Sequence, residues 1–164
     1  MRVAIAGAGL LGRVLALMLA RAGHAVDVFD PAADAAARGA AGWTAAGMLS
    51  PVAELECADE DVYALGVRSL SLWPGLLAGA PSAVDLHMRG SLLLAHRGDE
   101  GSARRVVDLL AAKAPASGRP QPMDRAALAE LEPDLLPVPH AWLVPGEGQV
   151  DTVQAMPALP PMPC

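Results

Sequence analysis

The stretch Val3-Ala4-Ile5-Ala6-Gly7-Ala8-Gly9-Leu10-Leu11-Gly12 decides the fold of this chain. Its first four residues are a short continuous apolar run, which is typical of a parallel strand buried on both faces. Leu10 to Ala22 contains good helix formers and no proline, and Gly23 follows as a helix C-cap. Ala25 to Phe29 is a second apolar run of strand length. The sequence therefore predicts a βαβ unit with a right-handed crossover.

The turn between the first strand and the helix carries the motif GxGxxG. Gly7 is expected to make the tight turn, Gly9 to let the backbone approach a pyrophosphate, and Gly12 to let the helix lie close to the sheet. Asp30 follows the second strand, where a carboxylate accepts hydrogen bonds from a ribose 2′-hydroxyl and repels a 2′-phosphate. These features predict a site for FAD or NAD and disfavour NADP. The unit by itself does not choose between FAD and NAD.

The composition is that of one globular domain, and it excludes several function classes. The chain has 164 residues, of which 53% are hydrophobic and 18% charged, so it is too apolar for a disordered segment. The formal net charge of −6 argues against nucleic acid as a partner. Cys57 and Cys164 are far apart, and the four histidines lack metal-ligand spacing. We therefore expect no metal site and free thiols in a reducing compartment.

The apolar N-terminus needs separate consideration, because Met1 to Ala22 has the hydropathy of a signal peptide or anchor. Arg13 interrupts this stretch, and its longest uninterrupted run, Val14 to Ala20, is far shorter than the ~20 residues of a membrane span. The sequence therefore predicts a cytoplasmic protein with no membrane partner.

The middle of the chain alternates helices and strands. Asp59 is a predicted N-cap for a helix that runs to Leu76 and is kinked by Pro74. The remaining predicted elements are a strand at Ser91–Ala95, a helix from about Asp99 to Ala114, a helix from about Asp124 to Leu131, and a strand at Ala141–Val144.

The segment Gly42-Trp43-Thr44-Ala45-Ala46-Gly47-Met48-Leu49-Ser50-Pro51 follows the loop after Asp30. Together with the first forty residues, this segment resembles the D-amino-acid oxidase family of FAD-dependent oxidoreductases, most closely its glycine oxidase branch of thiamine biosynthesis. Three later stretches match the family in the same order, namely Arg89-Gly90-Ser91-Leu92, Glu130-Leu131-Glu132-Pro133 and Gly148-Gln149-Val150-Asp151. The resemblance therefore extends from residue 2 to about residue 151.

The resemblance implies an α/β fold, with a Rossmann-like FAD-binding βαβ domain followed by the start of an α+β substrate domain that is incomplete. It assigns residues 1–80 to the FAD-binding domain and residues 81–151 to the substrate domain. The residues that it places against FAD, in addition to Gly7, Gly9 and Gly12 of the motif, are Leu10, Leu11, Asp30, Ala41, Gly42, Ala46, Gly47 and Met48. Small side chains in the second segment would let backbone N–H groups approach the cofactor.

The resemblance also implies an activity, which is the oxidative deamination of glycine or another small amino acid. The amine gives hydride to the flavin, the imine hydrolyses to the 2-oxo acid, and oxygen reoxidises the flavin with release of peroxide. The family's substrate-binding tyrosine and arginine lie in a later half of the protein. No residue of this chain is named as catalytic, and neither the substrate nor the oligomeric state is specified.

The last segment, residues 152–164, departs from the family pattern. Pro157, Pro160, Pro161 and Pro163 are expected to exclude a helix, so the segment is predicted to be a disordered or aberrant tail that follows a frameshift or premature stop. Two alternatives to an oxidase remain open at this point. One is an NAD-dependent dehydrogenase, and the other is an inactive truncated fragment that binds nucleotide weakly or not at all.

Overall fold

The computed structural model describes residues 1–32, 38–135 and 137–159, and within them the chain divides into two compact units. The first unit contains Met1–Met48, Leu72–Leu86 and the segment that starts at Val150. The second contains Leu49–Ser71 and His87–Gln149. This division does not coincide with boundaries at residues 80 and 151, because segments that are far apart in the chain pack into the same unit.

Six helices and eight strands are formed by the described residues. The helices are α1 (Leu10–Arg21), α2 (Pro51–Glu54), α3 (Glu60–Leu77), α4 (Glu100–Lys113), α5 (Arg125–Leu131) and α6 (Thr152–Ala158). The strands are β1 (Arg2–Ala6), β2 (Ala25–Phe29), β3 (Met48–Leu49), β4 (Leu86–His87), β5 (Ser91–Ala95), β6 (Gln121–Met123), β7 (His140–Val144) and β8 (Gly148–Val150). Short 3-10 turns lie at Ala41–Trp43, Ala116–Gly118 and Pro133–Leu135.

The first unit contains the predicted βαβ unit. Strands β1 and β2 pair in parallel, with Ile5 opposite Val28, and α1 connects them. Ile5, Ala16 and Val26 form the buried core between helix and strands. Gly23 ends the helix in a left-handed conformation, with φ of +83°, as predicted for a C-cap. The predicted strands and helix are confirmed within one residue at each end.

The second unit is built on an antiparallel sheet with strand order β5–β7–β6. Its main core consists of Val52, Leu55, Leu110, Ala114 and Val144. The predicted β5, β7, α4 and α5 are all confirmed. Strand β6 was not predicted, and Pro122 in its middle is an exception to the rule that strands avoid proline. The order of the sheet explains this exception, since β6 lies at an edge, where a missing N–H is tolerated.

The predicted N-cap Asp59 is confirmed by a side-chain hydrogen bond, and Asp124 forms a second cap that was not predicted. The carboxylate of Asp59 accepts a bond of 3.0 Å from the Val62 N–H at the start of α3, and that of Asp124 accepts one of 2.8 Å from the Ala127 N–H at the start of α5. These bonds satisfy N–H groups that have no partner within the helix.

Strands β3, β8 and β4 form a second sheet in that order, and they are too short to show a hydrophobic period.

Helix α6 contradicts the expectation that prolines exclude a helix after Asp151. The Asp151 carboxylate accepts a bond of 2.9 Å from the Gln154 N–H and caps the helix, which then buries Ala155, Met156 and Ala158. Pro157 lies one residue from the helix end, so it removes a single backbone donor near a terminus. Burial of the apolar face outweighs that loss. Pro160, Pro161 and Pro163 lie outside the described residues, so the expectation of disorder there is not addressed.

Candidate functional site

The glycine-rich turn between β1 and α1 has the geometry that its sequence predicts. Gly7 has a φ of +103°, a conformation that favours glycine, and its N–H donates a bond of 2.7 Å to the Phe29 carbonyl of β2. A Cβ atom added to Gly12 would lie 2.0 Å from the Gly7 carbonyl oxygen and 3.6 Å from Ile5. The roles predicted for Gly7 and Gly12 are therefore required by the packing of the chain itself.

Gly9 is different, because the packing of the chain does not require a glycine at this position. It has extended backbone angles, and an added Cβ would meet only the Cβ of Ala40 at 3.8 Å. It is the N-cap of α1 and, as a glycine, it makes no side-chain capping bond. The N-terminus of α1 therefore offers backbone N–H groups and the positive end of the helix dipole.

The carboxylate of Asp30 is held by two backbone donors at the end of β2. Its Oδ2 accepts a bond of 2.6 Å from the Ala8 N–H, and its Oδ1 accepts one of 2.8 Å from the Ala32 N–H. These two bonds, of which the Ala8 bond contributes most, lower the pKa of Asp30, and the positive charge of Arg13 adds to the effect. The ionised carboxylate is exposed, and each oxygen has a further lone pair for another donor.

The stretch from Ala41 to Met48, which contains the later group of predicted FAD contacts, is positioned by β8 and α6. Gly47 has a φ of +76°, and an added Cβ would lie 1.9 Å from the Val150 carbonyl oxygen. The Gly47 carbonyl accepts a bond of 2.9 Å from the Val150 N–H. The Thr152 hydroxyl donates a bond of 3.0 Å to the Ala45 carbonyl. The backbone of this segment is therefore positioned from one side by residues 150–152.

All of the residues that sequence assigned to cofactor binding lie in the first unit. Leu11 and Met48 are large apolar side chains that remain 81% and 57% exposed. Ala41 and Ala46 are also exposed, and Gly42 is partly buried. Large exposed apolar side chains beside a helix N-terminus are suited to covering a ligand with both charged and apolar parts. That these particular residues contact the cofactor remains a prediction.

Two residues of this region, Arg13 and Trp43, were not assigned to the cofactor site from the sequence. Arg13 is only 3% exposed. The indole N–H of Trp43 is buried and, within the part of the chain that the structure describes, has no hydrogen-bond partner. The guanidinium of Arg38 lies 5.4 Å from the centre of the Trp43 ring. Neither residue was given a role in the site by the sequence, and only the tertiary structure shows their contacts.

Two other kinds of site are not formed by the described residues. Across residues 1–32, 38–135 and 137–159, no three His, Cys, Asp or Glu side chains come together in a way that would hold a metal ion. Over the same residues, no helix has the length and hydropathy that crossing a membrane requires.

Comparison with known proteins identifies the family. Residues 2–159 match the DAO family, described as FAD dependent oxidoreductase. The chain belongs to this family. The match includes α6, so residues 152–159 are part of the family domain, and the expectation of an aberrant tail is wrong for them. The expected resemblance to FAD-dependent oxidases is confirmed, and these matches do not favour an NAD-dependent dehydrogenase.

Individual relatives agree with the family assignment. Over 160 residues, the chain is 35% identical to a protein of Rhizobium etli named as a thiamine biosynthesis oxidoreductase, ThiO, with coverage of 97% of this chain and 45% of the relative. Crystal structures of glycine oxidase from Geobacillus kaustophilus and of iminodiacetate oxidase from Chelativorans superpose with TM-scores of 0.76 and 0.72. Both are 27% identical, and each alignment covers 96% of this chain and 43% of the other.

The chain thus spans less than half the length of the relatives it matches, and it corresponds to their N-terminal portion. The local geometry fits FAD, the cofactor of this family. The N-terminus of α1 suits a pyrophosphate, the exposed Asp30 carboxylate suits ribose hydroxyls, and among the described residues the nearest atom to a Cβ added at Gly9 is the Cβ of Ala40, at 3.8 Å.

Proposed function

We propose that this chain is the N-terminal part of an FAD-dependent oxidase that oxidatively deaminates glycine or another small amino acid. The observation that carries the proposal is the match over nearly the whole chain, in sequence to ThiO and in structure to glycine oxidase and iminodiacetate oxidase. The oxidised substrates named for these two structures are small amines that carry carboxylates. The partner of the site is therefore a small amino acid.

The residues of this chain bind and orient the cofactor. The N–H groups at the start of α1 donate to the pyrophosphate, with Gly9 allowing its close approach. Asp30 accepts hydrogen bonds from ribose hydroxyls. Leu10, Leu11 and the segment from Ala41 to Met48 exclude water from the bound cofactor. When bound, FAD supplies the hydride acceptor for amine oxidation, and we assign no acid or base of this chain to that step.

FAD binding by the purified chain is the first test. Flavin fluorescence is titrated against the chain, with NAD titrated in parallel. Saturable FAD binding that is tighter than NAD binding supports the proposal. Preferential binding of NAD would overturn the choice of cofactor, and binding of neither would overturn the cofactor site.

Peroxide release from glycine, sarcosine and D-alanine is the second test, performed on the FAD-loaded chain. Release from any of these substrates supports the oxidase directly. Flavin binding without release supports the second candidate function, a nucleotide-binding portion that is inactive by itself. The specific observation in favour of this second candidate is that the chain spans only 45% of ThiO.

We also propose a cytoplasmic location and a role in thiamine biosynthesis. The location is supported by the interrupted apolar N-terminus and by the exposed free thiol of Cys57. The role is supported by the name of the Rhizobium relative. Cell fractionation and growth without thiamine after deletion test the two proposals separately. Recovery of the protein in a membrane fraction would contradict the first, and thiamine-independent growth would contradict the second.

A further inference from the structure

Arg13 is a buried cation that joins the glycine-rich turn to the last helix. Its Nε donates a bond of 2.6 Å to the Ala8 carbonyl in the turn. Its Nη1 donates to the carbonyls of Met156 and Leu159, at 3.0 and 3.3 Å, at the C-terminal end of α6. A cation at this end of a helix satisfies carbonyls that have no partner within the helix. The planar guanidinium holds both groups in one fixed geometry.

The peptide groups on both sides of Ala8 are therefore held by charged side chains. Asp30 accepts from the Ala8 N–H, and Arg13 donates to the Ala8 carbonyl. Burial lowers the pKa of Arg13, and the charge of Asp30 opposes that effect. Ala8 lies between Gly7 and Gly9 in the proposed pyrophosphate turn. The position of that turn consequently depends on Arg13, and through Arg13 on the end of α6.

Helix α6 also supports the second cofactor segment. The Thr152 hydroxyl bonds to Ala45, and Val150 pairs with Gly47. A Cβ added to Gly42 would lie 2.5 Å from the Met156 sulfur, so the Met156 side chain lies directly against the backbone of Gly42. The segment from residue 150 to residue 159 thus contacts both of the elements that the proposed function assigns to FAD.

We propose that α6, with Arg13 as its link to the glycine-rich turn, is a positioning element of the cofactor site, so that docking of residues 150–159 and binding of FAD are coupled. The inference rests on the proposed function, because it requires FAD at this turn. Coupling is reciprocal, so FAD must stabilise the docked helix by the same factor by which the docked helix strengthens FAD binding. Arg13 acts through the backbone and is not a catalytic residue.

A second arginine on α1 provides a matched control. Arg21 is exposed and donates to the carbonyls of Gly75, Leu76 and Ala78 at the C-terminal end of α3. It therefore makes the same kind of contact as Arg13, from the same helix, and its bonds to these three carbonyls reach neither the glycine-rich turn nor α6. The comparison of R13M with R21M separates coupling to the cofactor site from the general effect of removing an arginine cap.

The experiment measures FAD affinity and amide hydrogen exchange on the full chain. For R13M we expect the Kd for FAD to rise roughly tenfold or more, the effect of losing charge-assisted bonds that position the turn. For R21M we expect a change of less than about twofold. In the wild-type chain FAD should slow exchange of the amides of residues 152–159, and R13M should abolish this protection. R13K keeps the positive charge but lacks the planar guanidinium, so its Kd for FAD should lie between those of the wild-type chain and R13M.

Three outcomes decide the inference. Equal FAD affinities for R13M and R21M would overturn it and leave the proposed function intact. The same holds if FAD does not change the amide exchange rates of residues 152–159. Absence of FAD binding by the wild-type chain would overturn the proposed function and this inference with it. If R13M does not fold, FAD-dependent protection of residues 152–159 in the wild-type chain, compared with that of α4, decides the question alone.

Discussion

Gly9 and Gly12 belong to the same motif, and the structure predicts opposite consequences for replacing them with alanine. A Cβ at position 12 would lie 2.0 Å from a backbone oxygen of Gly7, which no rotamer change can relieve. A Cβ at position 9 would have its nearest contact at 3.8 Å, within ordinary van der Waals range. We therefore expect Gly12→Ala to destabilise the fold and Gly9→Ala to weaken FAD binding alone.

The sizes of the two effects follow from the contacts. At position 12 the added methyl group meets backbone that cannot move aside, so we take the upper end of the usual overpacking cost, about 3 kcal/mol of the free energy of unfolding. The better helix propensity of alanine offsets about 1 kcal/mol of this cost. The net loss of about 2 kcal/mol lowers Tm by roughly 4–8 °C for a chain of this size. At position 9 the extended backbone suits alanine, and its weaker N-cap propensity offsets its lower unfolded-state entropy, so the change stays within about 0.5 kcal/mol.

The assay pairs thermal unfolding without cofactor with FAD titration of each folded variant. Gly9→Ala should have the Tm of the wild-type chain. It should bind FAD at least about tenfold more weakly, because its methyl group occupies the space proposed for the pyrophosphate. Gly12→Ala should unfold at the lower temperature whether or not FAD is added. Equal Tm values for the two variants would refute the close approach of α1 to the turn. Wild-type FAD affinity in Gly9→Ala would refute the placement of the pyrophosphate.

Three further predictions concern other contacts. The pKa of Asp30 is lowered from its ordinary value of 3.8, so its stabilising bonds are present above that value and are lost as the pH falls through the folded-state pKa. The Tm difference between the wild-type chain and Asp30→Asn should therefore stay constant above the ordinary value of 3.8 and shrink as the pH falls below it, and a difference that does not change with pH would count against the ionised form as the stabilising one. Glu147 is fully buried and accepts bonds from the Ser91 hydroxyl and the Ala53 N–H. Glu147→Gln should lose about 1–3 kcal/mol in urea denaturation, whereas Glu130→Gln, at an exposed position, should stay near the wild type, and equal stabilities would contradict the role of the buried carboxylate. Gly47→Ala places a Cβ 1.9 Å from the Val150 carbonyl oxygen at a residue with positive φ, so it should lose at least about 2 kcal/mol of the free energy of unfolding in urea. Wild-type stability of this variant would show that the backbone moves to accommodate the methyl group.

Local signals in the sequence were sufficient where a short segment forms its own contacts. The βαβ unit was predicted within one residue at each end, because hydrophobic runs, Gly7 and Gly23 act within a single turn of chain. The N-cap Asp59 was predicted for the same reason, since it bonds to the N–H of Val62, three residues later in the chain. The identification of FAD rather than NAD depended on the resemblance of the second segment to a family, since the glycine motif serves both cofactors.

Elements whose stability comes from distant partners were missed or misjudged. The edge strand β6 tolerates Pro122 only because of its place in the sheet, which the sequence does not reveal. Helix α6 was rejected on the proline content of its segment, although Leu159 at its end is fully buried and the family match continues to that residue. Local propensity is a weak predictor when burial of an apolar face decides the outcome.

The same distinction applies to the cofactor site. The sequence alone determined the turn, the first helix and the acidic residue at the end of the second strand, because these features lie within one short βαβ unit and local structure brings them together. Only the tertiary structure showed that Arg13, an apparent interruption of an apolar run, is buried between the turn and α6. The contact joins residues 143 positions apart, and such a contact depends on how the chain packs and leaves no periodic signal in the sequence.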